Sequence, residues 1–160
     1  MFTTIETKSN VASEGLRDLY DSDFAMWVEE TAKHLQDRNF QDIDLENLIE
    51  EVLDLSRRSK HKLKSLLRRL FEHLLKLRYW QLELDLNQNH WRGEIFNFRQ
   101  QIQDELQSSP SLRSYLQQIL DECYLDACES ASITTGLPLN TFPKTTLASM
   151  EQVLDKSWFG

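Results

Sequence analysis

Glu46, Glu50 and His73 are the residues of this 160-residue chain whose types and spacing best suit chemistry. Glu46 and Glu50 stand four apart, so a helix sets both carboxylates on one side, while His73 lies at the edge of a leucine stripe in the next helical segment. Carboxylates and an imidazole offered by facing helices hold iron, manganese or zinc, and a metal-bound water of lowered pKa would make a hydrolytic role conceivable. The spacing is thin support. A di-iron bundle repeats Glu-x-x-His on two helices, whereas here Glu72 and His73 are adjacent and fall on different faces. In the plainer reading Glu46 and Glu50 flank an acidic helix, and a carboxylate or carbonyl holds His73 at the core edge. The residue types favour that reading, so no cofactor is expected, with a divalent metal as the alternative.

A second set is basic. From Arg57 to Arg78 there are nine Lys and Arg against the single Glu72, among them Arg57, Arg58, Lys60, Lys64, Arg68 and Arg69, in a chain whose net charge is −8. A straight helix of that length at ~1.5 Å per residue spans about 33 Å, close to one turn of duplex DNA, so phosphate contact is geometrically possible. Against it stand the absence of helix-turn-helix grammar and of a glycine-rich loop, and an otherwise acidic molecule that repels polyanions. Intramolecular pairs at i,i+4, such as Asp54 with Arg58 and Glu72 with Lys76, account for much of the charge, and an acidic patch on another subunit or protein is the other candidate partner.

Other chemistry is sparse. No Gly-x-Ser-x-Gly or phosphate-binding loop occurs, and Cys123 and Cys128, five apart in a helical pattern, are expected to be free thiols. Tyr79, Trp80, Trp91, Trp158 and Phe159 could stack bases beside Arg78, but aromatics at helix ends more often close a core.

The elements that would position these groups read as helices. Phe24, Trp27, Val28, Thr31 and Leu35 recur at three- and four-residue intervals after the capping candidates Asp21 and Ser22. Asp44 can cap a second helix with an apolar face of Leu45, Leu48, Ile49, Val52, Leu53 and Leu55. Six carboxylates and no Lys or Arg lie between Asp42 and Asp54, so the acidic start and basic finish of 44–80 complement a helix dipole. The stretch from Ser56 to Lys60 is where that helix could bend or stop, and one rod and a hairpin both remain open. Leu63, Leu66, Leu67, Leu70, Leu74 and Leu77 continue the stripe. Asn87 to His90 reads as a turn before a fourth helix on Trp91, Ile95, Phe98, Ile102 and Leu106. Ser109-Pro110 restarts a fifth helix that stops near Gly136, and Ser149 with Gln152 has capping-box spacing for a short last one. The expected core includes Trp27, Leu48, Val52, Leu66, Leu70, Ile95, Phe98 and Ile119.

Hydrophobic content of 40% with 28% charged residues suits one globular domain, and no apolar run reaches the length of a bilayer span. The expectation is an all-α, single-domain bundle of about five helices plus a short C-terminal helix over 19–160. Residues 1–18 are expected to form a loose arm and the protein to be cytoplasmic.

From about Leu19 to Phe159 the chain resembles a bacterial family catalogued as domain of unknown function twenty-nine. The likeness rests on "YDSDFAMWVEETAKHL", "DLENLIEEV", "HLLK", "SPSLRSYL", "TGLPLNTFP" and "MEQVLDKSWF", in that order. The resemblance implies a helical fold and a bacterial source, and carries no catalytic residues with it. The chain departs from the family pattern at Ser56, where Gly is common, and at Leu77, where Trp is common; Ser in place of Gly makes a continuous helix from 44 to 80 more plausible.

Abundant helix-packing grammar and little chemistry make a non-enzymatic interaction or self-associating module the favoured function. A small metal or acid–base site at Glu46, Glu50 and His73 is the alternative, and nucleic-acid binding through 57–78 the weaker one.

Overall fold

Helical spacing and capping chemistry carry most of this architecture. The computed structural model describes residues 15–146 and 148–160, which contain helices and short 3-10 turns and no strand. The helices are α1 (15–22), α2 (Phe24–Gln36), α3 (Leu45–Tyr79), α4 (Gln81–Ser108), α5 (Leu112–Gln118), α6 (Leu120–Thr135) and α7 (Met150–Leu154). The all-α reading holds. Residues 15–18, expected in a loose arm, belong instead to α1; the rest of that expected arm, 1–14, lies outside the described residues.

The chain divides into two compact units, Met1–Ser56 and Arg57–Gly160. In the first unit Asp23 caps α2 by accepting from the Met26 backbone N–H at 3.1 Å, two residues after the earlier of the expected caps. Among its described residues Trp27, Leu16 and Ile43 are the buried apolar side chains, and Tyr20, Phe24 and Trp27 pack ring on ring with centroids 5.0–5.9 Å apart. Asp44 opens α3 as expected, its carboxylate accepting from the Asn47 side-chain amide at 2.6 Å, with Arg17 Nε at 3.6 Å.

The second unit has the larger core. Leu63, Leu67 and Leu70 of α3, Ile95 and Ile102 of α4, Leu116 of α5 and Val153 of α7 are all at 0% exposure. Of the expected core residues, Trp27, Leu66, Leu70, Ile95, Phe98 and Ile119 are buried. Leu48 is only half-buried, and Val52 is a correction at 58% exposure, because no described element of its own unit covers that face of α3.

Two boundaries differ from expectation, and a third, left open by the sequence, is a continuous helix as Ser56 favoured. The bend possible at Ser56–Lys60 does not occur, and α3 is one helix across the junction of its acidic and basic runs. The break comes at Trp80, not at Asn87–His90, which are helical in α4. There the Asn87 amide donates back to Glu83, to its carbonyl at 3.3 Å and its carboxylate at 2.9 Å, which satisfies the side chain without a turn. The helix expected from Pro110 to Gly136 is two, separated at Ile119 (φ −92°, ψ 1°). It ends as expected at Gly136, whose φ of 72° is the left-handed cap that glycine adopts without a Cβ penalty. Ser149 and Gln152 form the complete capping box of α7.

Candidate interaction surface

All the ionisable residues singled out as a possible metal site stand on one helix. Glu46 and Glu50 lie on the first third of α3, in the first unit, and His73 follows twenty-three residues beyond Glu50 on the same helix, in the second. The expected convergence needed a chain reversal between them, and α3 has none. Among the described residues no group of three or more His, Cys, Asp or Glu side chains could hold a metal ion. Glu46 is an exposed acceptor for Arg17 Nη2 at 3.4 Å in the first unit. His73, in the second, donates Nδ1–H to the Arg69 carbonyl at 2.9 Å and meets Phe98 edge to face at 5.2 Å. Burial lowers its pKa, only partly offset by the bond to Arg69, so a neutral ring at the core edge is the form this site selects. The carbonyl alternative for His73 is the one found.

Adjacent Glu72 belongs to a separate half-buried cluster. Lys76 Nζ donates to Glu72 Oε1 at 2.6 Å and Ser130 Oγ of α6 donates to Oε2 at 2.9 Å. This is the i,i+4 pair read from the sequence, with a hydroxyl added from a second helix. It ties α3 to α6. The arrangement fixes a packing interface between the two helices.

The basic run is drawn largely into the second unit. Lys62 Nζ reaches Glu105 of α4 at 2.5 Å, Lys64 reaches Glu122 of α6 at 2.5 Å, and Lys60 lies 5.5 Å from the Tyr115 ring centroid on α5. Arg78 sits 5.8 Å from the Tyr79 ring centroid. Arg68 and Arg69 are exposed. The positive run thus zips α3 onto α4, α5 and α6, which is why a helix so basic fits an acidic molecule. The aromatics close the core as their positions at helix ends suggested: Trp80 stacks on Trp91 at 5.6 Å, and Tyr79 meets Phe142 edge to face at 5.5 Å. Cys123 and Cys128 are free and buried, and burial pushes the Cys123 thiol up to about 11, so neither is a ready nucleophile.

Arg99 is the residue that sequence reasoning passed over. It is fully buried on α4, where Nε donates to the Val153 carbonyl at 2.7 Å and Nη2 to the Trp158 carbonyl at 2.6 Å, while its guanidinium lies 5.6 Å from the Phe159 ring centroid. Burial lowers its pKa to about 10, with nearby Asp155 opposing. It clamps the C-terminal segment onto α4. The available signal was its place between Ile95 and Ile102, an arginine on an apolar stripe.

What α3 leaves uncovered is apolar. Leu45, Ile49, Val52, Leu53 and Leu55 are 51–64% exposed, and residues 49–62 include no buried side chain. Ile49, Val52 and Leu53 share one helical face, and Glu46, Glu50, Glu51 and Asp54 flank it. Five exposed leucine, isoleucine or valine side chains in eleven residues make a contiguous patch of the kind that marks an interaction site, unlike scattered surface leucines.

No helix among the described residues is long and apolar enough to cross a membrane. No curated protein and no solved structure matches the chain. The family model described as Domain of unknown function DUF29 matches residues 19–159, nearly the whole chain, and the chain belongs to that family.

Proposed function

We propose that this chain is a non-enzymatic interaction module of the bacterial cytoplasm that pairs with a second copy of itself through the first third of α3. The observation that carries the reading is the exposed apolar face of Leu45, Ile49, Val52 and Leu53. Covering each such side chain removes apolar area from water at roughly 25 cal/mol per Å², which is the driving force for association. Charge selects the occupant. The face is edged by the carboxylates of the 42–54 run, and the same helix turns basic from Arg57 onward. A parallel partner would set acid on acid. An antiparallel second copy centred near Val52 brings the start of one basic run beside the other's acidic run, so the sequence supplies both surfaces.

Cysteine trapping tests the pairing and its direction. With the native thiols buried, Val52→Cys near the symmetry centre should form a covalent dimer on mild oxidation, and Leu45→Cys should not. Efficient linkage of Leu45→Cys would indicate parallel pairing, and linkage of neither would contradict this interface.

A further inference from the structure

Along α6 runs a face that no described element of its own unit covers. Asp121, Leu125, Glu129 and Ile133 follow one another at four-residue intervals, so they share one stripe, and all four are exposed, Ile133 at 86%. The stripe alternates carboxylate with aliphatic over about 18 Å, at ~1.5 Å per residue. Beside it lies a groove of about 540 Å³, with Leu125, Cys128 and Glu129 of α6 on one side and Leu139, Phe142 and Lys144 on the other. Cys128 and Phe142 are buried, whereas Leu125 and Leu139 stand 50% and 51% exposed. The wall opposite α6 is preformed: the Tyr124 hydroxyl donates to the Pro143 carbonyl at 2.8 Å, Ser132 Oγ donates to the Leu137 carbonyl at 2.7 Å, and Phe142 meets Tyr79 edge to face.

Shape and charge select the occupant. A small molecule in the groove would leave Ile133 in water, whereas an amphipathic helix laid along α6 covers the stripe and the groove together. Between Arg113 and Lys144 the chain has four carboxylates and no Lys or Arg. Lys64 engages Glu122, and the remaining Asp121, Asp126 and Glu129 outnumber Lys144, the one cation lining the groove. A partner therefore needs cations beside its apolar side chains. A second copy is poorly matched, because its exposed Leu82 and Leu86 stand beside Glu83 and Asp85, and its Ile49 and Val52 beside Glu46 and Glu50. Its exposed Phe96 already has Lys156 Nζ 5.3 Å from the ring centroid. We propose that the α6 groove docks a basic amphipathic helix of a partner protein, its aliphatic side chains on Leu125, Ile133 and Leu139 and its Lys or Arg on Asp121 and Glu129. The site lies wholly in the second unit, whereas the pairing residues of α3 belong to the first.

Fluorescence anisotropy and amide NMR shifts on the full chain test this with synthetic peptides of about 14 residues: a leucine–lysine amphipathic helix, its leucine–glutamate counterpart and a lysine–serine control. The leucine–lysine helix should bind with a Kd on the order of 10 μM and shift the amides of Leu125, Glu129, Ile133 and Leu139, and the other two should not bind below about 1 mM. Leu125 and Leu139 are half exposed, so Leu125→Ser combined with Leu139→Ser should keep the melting temperature and weaken the peptide about tenfold. Glu129→Lys should weaken it similarly. Binding untouched by the double change, or shifts confined to residues 45–55, would overturn the groove. Equal binding of the leucine–glutamate helix would overturn the charge assignment. Concentration-dependent shifts at Leu125 and Leu139 without peptide would make a second copy the occupant and overturn the partner assignment.

Discussion

Lys76 Nζ lies 2.6 Å from Glu72 Oε1, one turn back along α3, and the two side chains are only 11% and 17% exposed. Such a pair is costly to break from one side, because the remaining charge keeps its desolvation and loses its counter-charge. Lys76→Met should destabilise the protein by about 1–3 kcal/mol, and the added change Glu72→Gln should recover part of that loss. Urea denaturation of the single and double variants checks this; an additive double variant would contradict the coupling.

The same pair gives a pH signature. Burial pushes the Glu72 carboxyl up, but the hydrogen bond and charge of Lys76, joined by Ser130, outweigh it and hold the pKa below the ordinary carboxylate value. With a lowered folded value, the stabilisation is complete above the unfolded glutamate pKa and is lost as pH falls through the folded one. Urea midpoints should therefore drop more steeply below about pH 4.5 for the unaltered protein than for Glu72→Gln. Parallel pH profiles would show that the carboxylate is not so held.

Leu70 is at 0% exposure and Val52 at 58%, although both lie on the apolar stripe of α3. Leu70→Ala should cost about 2–5 kcal/mol, and Val52→Ala within about 0.5 kcal/mol in dilute protein where self-association is absent. Equal losses would mean that the first third of α3 is part of the core.

That contrast marks what the residues disclosed. Spacing and caps are local, so the Glu72–Lys76 pair, the Gly136 stop, the Ser149–Gln152 box and the stripe through Leu70 were all legible. The break at Trp80 was not, since Trp80 is non-helical while stacking on Trp91, a contact that composition around Asn87 could not announce. The grouping of Glu46, Glu50 and His73 was not legible for a related reason: spacing shows which side of a helix residues share, and a reversal between Glu50 and His73, which α3 lacks, had to be assumed. The outward face of Ile49 and Val52 was hidden too, because periodicity reports an apolar stripe without saying what covers it.

Arg99→Met should release the C-terminal segment by deleting two charge-assisted bonds to the Val153 and Trp158 carbonyls, each worth about 1.5–3 kcal/mol. Hydrogen exchange should speed up over residues 150–159 with little change in α3. Unchanged exchange there would show that the clamp is dispensable.

Sedimentation equilibrium of the unaltered chain, at low and high salt, tests the central claim most directly. A mass near twice 18.9 kDa is expected at low ionic strength and a weaker dimer at about 0.5 M salt, as the acidic and basic runs are screened. A mass of 18.9 kDa at every concentration up to about 1 mM would contradict self-pairing through α3.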